Sequence, residues 1–136
     1  MVTISGLKNL KILSLGRNSI KKIYGLEEIG DNLEELWISY NLIDNLNGLA
    51  PHCTALKTLY IAHNKIKEWN ELEKIKDLPQ LNNVVFLGNE IYDQYQTKEE
   101  ARLRVLKILP HMEMIDNVLV TEKDKQDVES MFPSDA

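Results

Sequence analysis

The sequence predicts an α/β solenoid: a short-stranded parallel sheet on one face, helical or 3₁₀ turns on the other, and a C-terminal helical cap. Two observations predict it. The first is the stretch Leu33-Glu-Glu-Leu-Trp-Ile-Ser-Tyr-Asn41, whose frame Leu-x-x-Leu-x-Ile-x-x-Asn returns at Leu10, Leu13, Leu15 and Asn18, and at Leu56, Leu59, Ile61 and Asn64. A looser copy follows at Leu81, Val84, Phe86 and Asn89, and an isoleucine stands two residues after each asparagine: Ile20, Ile43, Ile66 and Ile91. The second is the period. The asparagines are 23, 23 and 25 positions apart, within the roughly 20–29 residues of a leucine-rich repeat.

Each copy sends one short strand into the sheet, because Leu-x-Leu turns one residue inward and the next outward. The inward set is Leu13 and Leu15, Leu36 and Ile38, Leu59 and Ile61, Val84 and Phe86. Asn18, Asn41, Asn64 and Asn89 fall where the chain leaves the strand. A buried carboxamide there satisfies backbone groups that are costly to desolvate alone. These residues are explained as scaffold, since inward repeat positions exist to fill the core.

Residues 1–95 read as repeats, the first one incomplete. Gly25-Leu26 and Gly48-Leu49 follow Asn18 and Asn41 by seven and eight positions, and Gly6-Leu7 fits the same slot. Likewise Ile4 aligns with Ile23, Leu46 and Trp69, and Met1 with Ile20, Ile43 and Ile66. The expectation is a chain that starts inside a repeat whose strand is missing, as in a fragment of a longer protein. The connections, for example Leu26-Glu-Glu-Ile29 and Leu72-Glu-Lys-Ile75, read as short helical or 3₁₀ turns, with Trp69 a core residue. Residues 96–120 read as a cap. Thr97-Lys-Glu-Glu100 is a near capping box opening a helix with Leu103, Leu106 and Leu109 on one face. Pro110 stops it, and Met112, Ile115 and Val118 are expected to complete the seal. Residues 121–136 read as a second, charged helix from Thr121 to about Met131 and a frayed tail from Pro133.

Composition narrows the function. A net charge of −5 argues against nucleic acid or an anionic membrane as the main partner. No apolar run approaches a membrane span, and no signal sequence opens the chain. Cys53 is the single cysteine, so no internal disulfide framework exists and a reducing compartment is expected. His52, His63 and His111 are not spaced as metal ligands, so no metal or cofactor is expected. No nucleophile is paired with a base, and Leu15-Gly-Arg-Asn18 and Leu87-Gly-Asn89 are repeat turns rather than phosphate loops. No catalytic residue is assigned.

The outward positions form the face where function is expected. Register sorts them into rows: Ile12, Glu35, Thr58 and Asn83; then Ser14, Trp37, Tyr60 and Val85; then Gly16, Ser39, Ala62 and Leu87; and beside the asparagines Arg17, Tyr40, His63 and Gly88. Trp37 and Tyr60 are expected about 5 Å apart on adjacent strands, with Tyr40 and Arg17 beside them. Trp, Tyr and Arg are the types enriched at protein-binding hot spots. The candidate protein-binding residues are Arg17, Trp37, Tyr40, Tyr60, Ser14, Ser39, Glu35 and Val85.

Beyond the generic frame, Leu13-Ser-Leu-Gly-Arg-Asn18 and Leu33-Glu-Glu-Leu-Trp-Ile-Ser-Tyr-Asn41 closely resemble the leucine-rich-repeat light-chain family of axonemal outer-arm dynein. The match includes Gly16, Arg17, Trp37, Ser39 and Tyr40, outward residues that the fold does not require. Tyr60, the Gly88-Asn89 turn and the closing Leu109-Pro110…Ile115-Asp116 fit as well. The resemblance spans essentially the whole chain and corresponds to about the C-terminal two thirds of a family member. It implies a non-catalytic subunit that binds a dynein heavy chain at the microtubule-binding tip of the stalk, with tubulin a second partner. The implied location is the axonemal cytoskeleton of cilia and flagella, within the cytoplasm. It points to the face with Arg17, Trp37, Tyr40 and Tyr60, and secondarily to the terminal helix with Lys123 and Lys125. The chain departs from the family in lacking the N-terminal helix and early repeats, in Glu90 where a proline is usual, and in Ile61-Ala-His-Asn64 where small polar residues are usual. Two alternatives stay open: a regulatory subunit of a protein phosphatase, and an adaptor in a ribonucleoprotein.

Overall fold

The structure, a computed structural model, describes residues 7–133. The slots assigned to Met1, Ile4 and Gly6, and the tail after Pro133, lie outside the described residues. A six-stranded sheet runs in chain order through β1 (Ile12–Ser14), β2 (Glu35–Trp37), β3 (Thr58–Tyr60), β4 (Asn83–Val85), β5 (Met114–Ile115) and β6 (Val118–Leu119). The first five strands are parallel and β6 returns antiparallel to β5. Register follows the repeat: Leu13, Leu36, Leu59 and Val84 lie in line, as do Ser14, Trp37, Tyr60 and Val85. Leu36, Ile38, Leu59, Ile61, Val84 and Phe86 are wholly buried, as a period-2 pattern with one covered face requires.

The asparagines explain why the strands are short. Asn41 Nδ2 donates to Ile38 O and Ser39 O of its own turn and to Leu15 O of the coil before, while its Oδ1 accepts from Ile20 N. Asn64 makes the same set with Ile38 O, Ile61 O, Ala62 O and Ile43 N. Asn89 repeats it with Ile61 O, Phe86 O and Ile66 N. Each carboxamide therefore stitches its bend to the preceding coil and leaves little unmet polarity in a dry place. Asn18 departs from the expectation of burial. It is exposed and bonds only Leu15 O and Gly16 O of its own turn. No described coil precedes it, and Leu13 and Leu15 are correspondingly only half-buried.

On the opposite side the connections differ. Trp69–Ile75 and Glu90–Gln94 are 3₁₀ helices, whereas Leu26–Ile29 is a plain turn closed by Ile29 N donating to Leu26 O. Helix α1 (Lys98–Ile108) starts at Thr97, whose hydroxyl accepts from Glu100 N. Its buried face is Ala101, Arg102, Val105 and Leu106, continued by Leu109. Leu103, expected in that stripe, is half-buried instead, because Arg102 occupies the deep position beside the β5–β6 hairpin.

The cap ends the solenoid by substituting a carboxylate for the next coil. Ile38 N donates to Tyr60 O, and Ile61 N to Val85 O. At the last coil, Phe86 N and Leu87 N donate to Asp116 Oδ1 instead. Tyr92 Oη donates to Asp116 Oδ2. Burial first, and then the Asp116 charge, hold the Tyr92 hydroxyl above its ordinary value. Asp116 and Asn117 take φ of 54° and 66°, the left-handed pair that a tight two-residue hairpin needs. That hairpin points Val118 outward, 53% exposed. The seal is thus Met112 and Ile115 without Val118.

Arg102 locks the cap. Its Nε donates to Ile115 O and its Nη2 to Val118 O and Leu119 O, while Nη1 lies 3.2 Å from Asp124. Asp124 opens α2 (Glu122–Met131), capped at Thr121 by a reciprocal capping box. Val128 is the residue that α2 buries.

Candidate protein-binding face

The repeat register delivers two aromatic ridges across the sheet. On the first, Trp37 and Tyr60 sit side by side with ring centroids 5.7 Å apart. Trp37 Nε1 donates to Glu35 Oε1 of the same strand, which holds the indole along the strand. Even so, Trp37 stays 38% exposed. Ser14 continues this ridge toward β1 and is exposed. Val85 does not continue it toward solvent. It is buried, because β4 is not a free edge and the β5–β6 hairpin closes over its far side.

The second ridge lies at the turns beside the asparagines. Arg17, Tyr40 and His63 adopt φ of 58°, 60° and 54°, in the left-handed region that L side chains enter at about 1–2 kcal/mol per residue. This throws their side chains over one another. The Arg17 guanidinium carbon lies 4.3 Å from the Tyr40 ring centroid. Tyr40 stacks on His63 at 4.5 Å with planes 15° apart. His63 rests on Gly88, where a Cβ would come within 2.3 Å of His63 Nδ1. Between the ridges runs a floor of small residues: Gly16, Ser39 and Ala62. Ser39 is half-buried with its hydroxyl accepting from Ala62 N.

The structure therefore brings Trp37, Tyr60, Glu35, Arg17, Tyr40, Ser14 and Ser39 onto one face and withdraws Val85. One residue outside the sequence-derived set joins it. His63 completes the stack, and Leu42, the residue after Asn41, is exposed. A signal for the stack was present: one of the four residues before the asparagines is glycine, Gly88, which marks a position of positive φ.

A second aromatic cluster lies on the turn side. Trp69 stacks on Tyr92 at 6.3 Å and meets Tyr95 edge-on at 5.8 Å, and Tyr95 in turn meets Phe132. Arg104 lies over Trp69 and Phe132. Trp69 Nε1 donates to Gln94 Oε1, and the indole is buried. This cluster joins the repeats to the end of α2. Cys53 is also internal: burial, with a smaller effect of Glu27, pushes its thiol up to about 11. Among the described residues no group of three His, Cys, Asp or Glu side chains is placed to hold a metal ion.

A stitched asparagine ladder under a short-stranded sheet defines a leucine-rich-repeat solenoid. In agreement, the family model described as leucine rich repeats (2 copies) matches residues 8–51 and again 31–83. In solved structures the fold recurs in the Drosophila melanogaster SNF/U2A' complex, with a TM-score of 0.75 over 98% of this chain and 76% of that one, at 18% identity. Among curated proteins, dynein axonemal light chain 1 of Danio rerio is 45% identical over 96% of this chain and 68% of its own length. The proteins of the same name from Chlamydomonas reinhardtii and Ciona intestinalis are 41% and 42% identical over 91% and 93% of this chain. The chain spans 64% and 66% of their lengths. The chain belongs to the axonemal dynein light chain 1 family of leucine-rich-repeat proteins.

Proposed function

We propose that the chain is a non-catalytic light chain of axonemal dynein in cilia or flagella. It docks on the dynein heavy chain at the microtubule-binding stalk tip through its sheet face and modulates motility. The observation that carries this reading is the pair of exposed Trp37 and half-buried Tyr60 beside the Arg17–Tyr40–His63 stack. Apart from Glu35 and Arg17, the outward rows carry no Asp, Glu, Lys or Arg in a chain that is 27% charged. Depletion of charge around aromatic and arginine anchors is the composition of a hot-spot core. Membership of a family named for axonemal dynein supplies the partner class. The phosphatase and ribonucleoprotein alternatives gain nothing from the structural likeness, which at 18% identity concerns the fold alone.

The test is a titration of the isotopically labelled chain with a recombinant axonemal dynein stalk tip. Amide signals of β2 and β3 are expected to shift while those of Trp69–Ile75 stay in place. Shifts confined to the turn side, or none at all, contradict this reading.

A further inference from the structure

The turn-edge ridge has a chemistry of its own. Three successive coils hold large side chains in a left-handed backbone, at 58°, 60° and 54°, where glycine or asparagine is the cheaper choice. The fourth coil places Gly88 at the equivalent position, so the bend itself asks for no side chain. What the side chains add is the stack. His63, seated on Gly88, fixes Tyr40, and Tyr40 fixes the face of the Arg17 guanidinium. A guanidinium held by its face keeps its edge free, and that edge carries the N–H fork that matches a carboxylate.

Among the described residues no side chain uses that fork. Arg17 has no carboxylate partner among the described residues. The one carboxylate in the outward rows, Glu35, accepts from Trp37 Nε1. A guanidinium seated on the Tyr40 ring and left without a carboxylate among the described residues is complementary to one that a partner brings.

We infer that the Arg17–Tyr40–His63 stack is a carboxylate-binding rim, fitted to an acidic segment of a protein partner. Arg17 binds the carboxylate, while Tyr40 and His63 are positioning residues. This assignment rests on the sheet face being the docking surface, and it names what the partner must present there.

The test uses the full chain and a ten-residue peptide of alternating glutamate and alanine, with a glutamine-for-glutamate peptide as control. Side-chain NMR signals of Arg17, Tyr40 and His63 are expected to shift with the glutamate peptide and not with the glutamine one. Arg17→Gln is expected to weaken binding about tenfold, as loss of a charge-assisted pair does. Arg17→Lys keeps the charge but loses the fork, and restores only part of the affinity. Lys74→Gln, on the turn side, leaves peptide affinity within about twofold, since it is distant from the rim. Arg17 is exposed, so its variants are expected to keep the parent unfolding midpoint. Equal binding of both peptides, unchanged affinity in Arg17→Gln, or absence of shifts at the stack overturns the assignment. Because the assay contains no heavy chain, its failure is distinguishable from a failure of heavy-chain docking.

Discussion

On the sheet face, Trp37 lies against Tyr60, donates to Glu35 and leaves 38% of its surface to solvent. On the turn side, Trp69 has a stacked tyrosine, an edge-on tyrosine, an arginine and a glutamine acceptor, and keeps only 9%. The residue types are nearly the same and the uses are opposite. Around Trp69 the partners come from the last repeat and α1, and two of them, Tyr95 and Arg104, reach on to Phe132 at the end of α2, so its aromatic area is consumed in joining them. Around Trp37 the partners come from the sheet surface alone, and the small floor residues beside it cover nothing. A tryptophan whose area is not consumed by folding remains available for a partner.

Three perturbations break or sharpen this contrast. The largest effect is expected from Trp69→Ala, which removes a buried indole at several contacts and costs about 3–5 kcal/mol. Its denaturant midpoint measures that. Next is Gly88→Ala, expected to destabilise by about 2 kcal/mol because the new Cβ meets His63 in a left-handed backbone. Adding His63→Ala returns the part due to the ring clash, and a double-mutant comparison of unfolding energies separates it from the backbone part.

The smallest effect concerns α2. Burial acts to raise the Asp124 carboxyl, but the Thr121 N–H and the Arg102 guanidinium outweigh it and hold Asp124 below the usual carboxylate range. A lowered folded value means that the contribution is present above the unfolded carboxylate range. It is lost as pH falls through that folded value. The loss is expected to be no more than about 1 kcal/mol and to loosen α2 before the repeats. The Val128 methyl signals, followed from neutral to acid pH, check this, and Asp124→Asn is expected to flatten their dependence.

The parts of this molecule visible in the sequence are those set by period. Leu36, Leu59 and Val84 had to point inward together, and the same register placed Trp37 beside Tyr60 without any structure. The parts that were not visible depend on neighbours from other elements. Val85 holds the same register slot as Trp37, but it is buried because a hairpin, not another coil, follows it. Val118 has the hydrophobicity of a seal, yet the Asp116–Asn117 turn rotates it outward. Arg102 looks like a surface arginine on a helix until three hairpin and strand carbonyls converge on it. Asn18 matches its three counterparts in sequence, yet among the described residues it bonds only within its own turn. His63 belongs to the stack through its backbone angle, which Gly88 alone betrays.

The most direct test of the contrast is one variant measured twice. Trp37→Ala is made in the full chain, and both its unfolding free energy and its affinity for a recombinant axonemal dynein stalk tip are determined. The expected result is a stability loss of about 1 kcal/mol, the worth of an exposed aromatic pair, with an affinity loss of about 2 kcal/mol or more. A large stability loss with affinity unchanged would place Trp37 with Trp69 among the structural residues and contradict the account.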